Sequence, residues 1–364
     1  MEQNAQRELR SANPEWTVSE LMARIAKALA SDGPALAFGK VASTHAPAGV
    51  SLVVSTTGSS GISKEVGLSS SAILSSARAS NKYLSAEFGN SWSLLLPLTH
   101  IAGINVLVRA LELGTEPIDL RGVRDHYPRA DFTAIVPTQL FKALNGESAL
   151  LKHLQEAKAV LVGGAELTSE LHMQAKSAGI NVITTYGMTE TCGGCIYDGT
   201  PLQGVEVAID SEQLIAIKAP MLAQTYLGDP KLWEASFVDG WFTSSDRGHI
   251  ENNRLIVHGR NDDVIISGGE NISLSEVERS LQANFPHTLL AAFAVKDAQW
   301  GHSLHVALAG EGAPSENDVR AHLTEKFGPA GSVKGFLYLH DLPLLGIGKV
   351  DRGKLSQLAT EATH

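Results

Sequence analysis

Several short runs in this chain combine residue types that can do chemistry. Residues 55–64 read S-T-T-G-S-S-G-I-S-K and follow an apolar stretch. Glycines and hydroxyl residues in a loop offer N–H and O–H groups to phosphate oxygens, and Lys64 adds a cation. The loop is not of the Walker A kind, because Ile62-Ser63 separates Gly61 from Lys64 where that motif needs adjacent residues. A solvent-exposed loop is the plain alternative. Residues 186–191 read Y-G-M-T-E-T and close another apolar stretch. Open α/β sheets place ligands at such strand ends. The Glu190 carboxylate there could hold Mg²⁺ on a phosphate; an ordinary strand end with an exposed glutamate is the alternative. Cys192 and Cys195 form C-G-G-C, open to reading as a redox pair or as two small pocket-wall residues.

The elements that must carry these residues alternate. A helix with one apolar side is expected over 15–29, and a short buried strand over 50–55. A helix over 69–88 is expected directly after the Gly/Ser/Thr loop, opened by a serine cluster able to cap it. Strands follow at 91–96, 134–137, 159–162 and 181–186, separated by helices at 101–113, at 138–144 and from Thr168. This alternation argues for an α/β sheet with parallel strands. From about residue 200 the chain reads as a β-rich subdomain, with strands at 205–210, 214–219, 248–250 and 254–258. Asn252-Asn253 suits the hairpin turn between the last two. Beyond Arg260 the pattern is α+β. The expected organisation is a large α/β domain over 1–259, its β-rich part at about 200–259, and a small α+β domain over 260–364.

Taken in order, four runs resemble the adenylate-forming superfamily of acyl-CoA synthetases: the two above, H-G-R-N-D-D-V-I-I-S-G-G-E-N at 258–271, and G-K-V-D-R at 348–352. The resemblance covers roughly residues 50–355. It implies ATP, Mg²⁺ and CoA as co-reactants, activation of a carboxylic acid as its acyl-adenylate, and transfer to the thiol. Under it, Thr56, Thr57, Gly58, Ser59, Ser60, Gly61 and Lys64 correspond to the phosphate loop, with Ser63 where the family usually has proline. Thr189 would contact the α-phosphate, Glu190 would hold Mg²⁺, and Tyr186, beside Gly187, would pack near adenine. Gly163, Gly164, Ala165 and Glu166 correspond to the segment whose backbone approaches adenine and acyl group. Asp246, in W-F-T-S-S-D, would bind the ribose hydroxyls with Arg260 as partner. Asp262 corresponds to the hinge of a mobile C-terminal domain, and Gly268 and Gly269 to the thiol tunnel. Lys349 is the catalytic candidate, a cation delivered to the charge that adenylation develops.

The acid itself is read from P-L-T-H-I-A-G at 97–103, which resembles a segment of acyl- and aryl-CoA ligases. His100 there would sit at the acyl pocket and gate it; a core histidine is the alternative. Arg109, six residues beyond Gly103, would suit an acid with a second carboxylate. The alternative puts Arg109 on the solvent face of its helix. Rival acids are a benzoate or a medium-chain fatty acid. A non-catalytic nucleotide-binding protein and a carrier-protein adenylation domain are rivals of other classes.

Composition sets outer limits. A chain of 364 residues with 43% hydrophobic content can bury a sizeable core. With net charge −10 and no basic block, nucleic acid is not an expected partner. The most apolar stretch, 94–113, is broken by Pro97, His100, Asn105, Arg109 and Glu112, so no stable membrane insertion is expected. The polar first fourteen residues do not suggest a signal peptide, and two cysteines do not suggest a disulfide scaffold, which together point to the cytoplasm. The region before residue 50 is much shorter than in typical superfamily members, so pocket walls built from it do not carry over. A homodimer contact that compensates stays open.

Overall fold

A computed structural model describes residues 6–57, 63–123, 125–267, 270–286, 288–297, 301–310, 313–344 and 350–362. Among them the chain divides into two compact units. The first takes residues up to 167, 173–244 and 250–256; the second takes 257 to the C-terminus with 168–172 and 245–249.

The first unit is built on parallel pairing, as the alternation implies. Val182–Met188, Ala159–Val162, Phe132–Ile135, Trp92–Leu94 and Ile118–Asp119 lie side by side and parallel. Ala159–Val162 and Phe132–Ile135 are buried at every residue, as strands covered on both faces must be. Gly193–Tyr197 and Thr200–Pro201 extend this sheet antiparallel at one edge. A second sheet runs Thr225–Leu227, Ser63–Ser69, Val50–Thr57, Ala35–Phe38, Gln6–Ser11 and His45–Pro47. The amphipathic helix Val18–Leu29 starts at a Thr17–Glu20 capping box and buries Leu21, Met22, Ile25 and Leu29.

Two expectations need correction, and further strands lie where the sequence reading assigns no element. The Gly/Ser/Thr loop does not lead into a helix. The next described element is the strand Ser63–Ser69, antiparallel to Val50–Thr57, and the helix starts only at Ser70 and ends at Tyr83. Polar Q-R-E-L-R-S at 6–11 is a strand because its backbone pairs with Ala35–Phe38 on one side and His45–Pro47 on the other. The short strand expected at 248–250 belongs to a longer one, Trp241–Glu251, which pairs with Arg254–Arg260. Asn252 and Asn253 between them both have positive φ, +49° and +63°, which suits an Asn-Asn hairpin turn. Val264–Ser267 and Glu270–Ser273 form a further unanticipated antiparallel pair.

The second unit shows strict two-residue alternation. Leu290 and Ala292 of the strand Leu289–Asp297 face the helices Leu274–Asn284 and Glu316–Phe327, joining Val277, Leu281, Val319 and Leu323. Ala291 and Phe293 face the opposite side with Leu355 and Ala359 of the helix Arg352–Ala362. Gly301–Ala309 pairs antiparallel with Leu289–Asp297 and parallel with Val333–Leu339. Helices therefore cover both faces of this sheet. No helix among the described residues is long and apolar enough to cross a membrane.

Candidate active site

Neighbouring parallel strands bring two of the predicted segments together. Val162 pairs with Thr184, so Gly163-Gly164-Ala165-Glu166 and Tyr186-Gly187-Met188-Thr189-Glu190 leave the same sheet edge side by side. Gly163 is half-buried, and Gly164, Ala165 and Glu166 are exposed. At Gly187 the register with Gly193–Tyr197 shifts, and a Cβ would meet the Gly193 carbonyl oxygen at 2.1 Å. Only glycine fits there. Thr189–Thr191 then form a single 3-10 turn with Thr189 buried. Thr191 Oγ1 locks the turn: it accepts from Met188 N at 2.9 Å and lies 2.7 Å from the Gly193 carbonyl oxygen.

Glu190 leaves this turn half-buried. Its Oε1 accepts a hydrogen bond from Tyr226 OH at 2.8 Å, and its Oε2 accepts none from a described residue. Among the described residues no group of three or more His, Cys, Asp or Glu side chains could hold a metal ion. A single carboxylate with one uncommitted oxygen suits Mg²⁺, which keeps several waters and takes the rest of its shell from substrate phosphates. Lys64 Nζ lies 4.7 Å from the centroid of the same tyrosine ring. Thr56 pairs with Lys64 and Thr57 with Ser63 across the hairpin, and Thr56 Oγ1 lies 3.5 Å from the Lys64 carbonyl oxygen. Gly58, Ser59, Ser60 and Gly61 lie outside the described residues.

The helix Ile101–Glu112 begins directly after His100, which is half-buried. The spacing from Pro97 to Gly103 has a steric basis: a Cβ on Gly103 would stand 2.3 Å from the Pro97 carbonyl oxygen. One turn on, Asn105 Nδ2 donates to the Cys192 carbonyl at 2.7 Å, and Ser76 Oγ donates to the same oxygen at 3.0 Å. The helix is thereby tied to the Thr189–Thr191 turn. Cys192 has the left-handed φ of +49°. Both cysteines are buried free thiols. Burial pushes the Cys192 thiol far up and Cys195 up to about 12, so neither supplies the thiolate that redox exchange needs.

Arg109 does not lie on a solvent face. It is 4% exposed, its guanidinium sits 5.2 Å from the Trp92 ring, and Nη2 donates to Tyr197 OH at 3.1 Å. Ser80 Oγ lies 2.8 Å from that same hydroxyl. Nε has no hydrogen-bond partner, and no carboxylate of a described residue pairs with Arg109. Buried cations are ordinarily paired, so this site is short of one anion.

In the second unit, Arg260 Nη1 stands 3.8 Å from Asp246 Oδ1, which brings the two expected nucleotide contacts together. Asp262 lies in the short turn Asn261–Asp263. Gly268, Gly269 and Lys349 lie outside the described residues. The residues flanking Lys349 are anchored. Leu344 and Val350 form an antiparallel bridge, and Asp351 N donates to Pro343 O at 2.8 Å. Arg352 binds Asp263 at 3.0 Å, Glu278 at 2.9 Å and the Ala292 carbonyl at 3.0 Å. Tyr226, Tyr197 and Asn105 escaped the sequence reading. Each acts through a contact between segments far apart in sequence, and the nearest available signal was an aromatic or amide inside an otherwise apolar run.

The chain matches the AMP-binding enzyme family over residues 3–221. Over 324 residues it is 34% identical to the Mycobacterium tuberculosis (strain H37Rv) protein named "Probable 2-succinylbenzoate--CoA ligase", with 84% of each chain covered. An o-succinylbenzoate coenzyme A synthetase from Bacillus subtilis, solved with AMP, shares 24% identity at a TM-score of 0.70, covering 84% of this chain and 69% of that one. ATP-bound MatB from Rhodopseudomonas palustris shares 20% identity at a TM-score of 0.76, covering 97% of this chain and 84% of that one. At these identities the two structures speak for the fold.

Proposed function

Because this chain belongs to the AMP-binding enzyme family, we propose that it is an AMP-forming acid–CoA ligase whose acid is o-succinylbenzoate, the activation step of menaquinone biosynthesis. The observation that carries the choice of acid is Arg109, a buried cation with no carboxylate partner among the described residues. An aromatic acid with a second carboxylate supplies the missing anion, and arginine pairs with it in bidentate fashion. The run T-E-T-C-G-G-C-I-Y-D-G at 189–199 resembles the short actinobacterial form of that ligase.

In the first step an acid carboxylate oxygen attacks the α-phosphorus of ATP. The bond to the β-phosphate breaks and diphosphate leaves, with the acyl-adenylate left behind. In the second step the CoA sulfur attacks the acyl carbon, and AMP leaves. Activation is needed because a free carboxylate is a poor electrophile with a poor leaving group. The segment 56–64 cradles phosphates, with Lys64 as its cation, and Thr189 donates to the α-phosphate. Asp246 with Arg260 takes the ribose, and Tyr186 with 163–166 bounds the adenine. Mg²⁺, when held by Glu190, neutralises phosphate charge. His100 gates the acyl pocket, and Lys349 stabilises charge in the adenylation step alone. A domain over 260–364 turning about Asp262 withdraws Lys349 and brings Gly268-Gly269 to the thiol path. Cytoplasmic location, where ATP and CoA are supplied, and a homodimer complete the reading.

The test is AMP release from ATP and Mg²⁺, with and without CoA, across a small acid panel. Preference for o-succinylbenzoate, lost in Lys349→Ala, is the expected result. Arg109→Ala should raise KM for that acid far more than for benzoate. Turnover with monocarboxylates only would retain the mechanism and remove the Arg109 role. No turnover with any acid would leave a nucleotide-binding protein.

A further inference from the structure

Tyr226 lies in none of the motifs above, yet it reaches two of them. Its strand, Thr225–Leu227, pairs with Ser63–Ser69 and sets Tyr226 opposite Val66, two residues from Lys64. The ring is buried, in a T-shaped contact with Trp233 at 5.1 Å between centroids, and its face lies under the Lys64 ammonium. The ring is thus fixed on two sides before its hydroxyl meets Glu190. A second tie reaches the same residue through the backbone, where Ala223 N donates to the Glu190 carbonyl at 2.7 Å.

We propose that Tyr226 is a positioning residue for the metal: its hydroxyl occupies Glu190 Oε1, fixes the carboxylate plane and leaves Oε2 for a divalent cation. The proposal rests on reading Glu190 as the metal-holding carboxylate. The physical case is geometric. A lone carboxylate on an otherwise free side chain samples many orientations, whereas Mg²⁺ demands near-octahedral geometry at short distances. An outer hydrogen bond to a ligating group supplies the orientation, and its loss ordinarily weakens metal affinity about 10- to 100-fold. A hydroxyl that merely satisfies a buried partner would show no preference for metal-dependent readouts.

Tyr226→Phe removes one oxygen and keeps the ring against Trp233 and Lys64, so the fold should persist and a thermal melt checks this. The primary readout is Mn²⁺ binding to the protein–ATP complex by electron paramagnetic resonance, without acid or turnover. Binding should weaken about tenfold in Tyr226→Phe and by more in Glu190→Gln. In the Glu190→Gln background, Tyr226→Phe should add nothing, because it acts only through that carboxylate. Wild-type Mn²⁺ binding in Glu190→Gln would remove the metal reading of Glu190 itself. Weakened binding in Glu190→Gln but wild-type binding in Tyr226→Phe, or an equal Tyr226→Phe effect in both backgrounds, would overturn the positioning role alone.

Discussion

Replacing Arg352 by methionine should loosen the second unit from within. Arg352 makes three hydrogen bonds, to Asp263, Glu278 and the Ala292 carbonyl, and Glu278 returns to Ala292 by accepting its N–H at 2.9 Å. Burial pushes the Glu278 carboxyl up while Arg352 pulls it back, so the pair is mutually dependent. Breaking a fully buried pair costs about 3–5 kcal/mol, and an exposed pair contributes about 0.2–1 kcal/mol. Here 29% of the Arg352 side chain and 26% of the Glu278 side chain still reach solvent. An intermediate loss of roughly 2–3 kcal/mol follows, and protonation of Glu278 limits it. Hydrogen exchange followed by mass spectrometry should show protection of the helix Leu274–Asn284 and the strand Leu289–Asp297 falling about 30- to 150-fold. The double variant Arg352→Met with Glu278→Met should recover part of the loss, since it removes the Glu278 charge and leaves only Asp263 without its cation. A loss under about fivefold in the single variant, or no recovery in the double one, would refute the reasoning.

Three further outcomes follow from the first unit. His153 is buried against Ser93 Oγ at 2.9 Å, and burial lowers its pKa, so the unfolded chain takes up a proton that the fold refuses. Stability should therefore fall as pH drops below about 6.5 and level off beneath the lowered value. Urea titrations of wild type and His153→Gln between pH 5 and 7.5 should show a flatter dependence in the variant. Gly103→Ala should cost about 1–3 kcal/mol by driving a methyl into the Pro97 carbonyl, seen as a lower thermal midpoint. A disulfide-exchange reagent near neutral pH should label neither Cys192 nor Cys195 in the native protein and both in urea.

What the sequence conveyed well was local. The strand ends carrying Gly163 and Tyr186, the helix after His100 and the Asn252-Asn253 turn each follow from a short apolar run or a turn-forming pair. What it concealed depends on partners distant in the chain. S-K-E-V-G-L-S at 63–69 has a glycine and little alternation, and it is a strand because Val50–Thr57 and Thr225–Leu227 flank it. Gln6–Ser11 is polar enough to read as a loop until its two neighbours supply hydrogen bonds. The same holds for the site. Arg109 was visible as a charge in an apolar run, but that it is buried without a carboxylate depends on where Trp92 and Tyr197 come to lie.

The Cys192 carbonyl receives hydrogen bonds from Ser76 and Asn105, which belong to two different helices, and Cys192 directly follows the turn that holds Glu190. One peptide oxygen thus joins the helix carrying Arg109 to the Thr189–Thr191 turn. For directed evolution this sets a rule about order. Changes along 101–109 that tilt this helix will also strain the Thr189–Thr191 turn, which is proposed to meet ATP, so their effects should depend on what has already been fixed at Asn105 and Ser76. Libraries that hold those two positions constant should yield specificity changes that combine additively. Libraries that vary them should be dominated by epistasis.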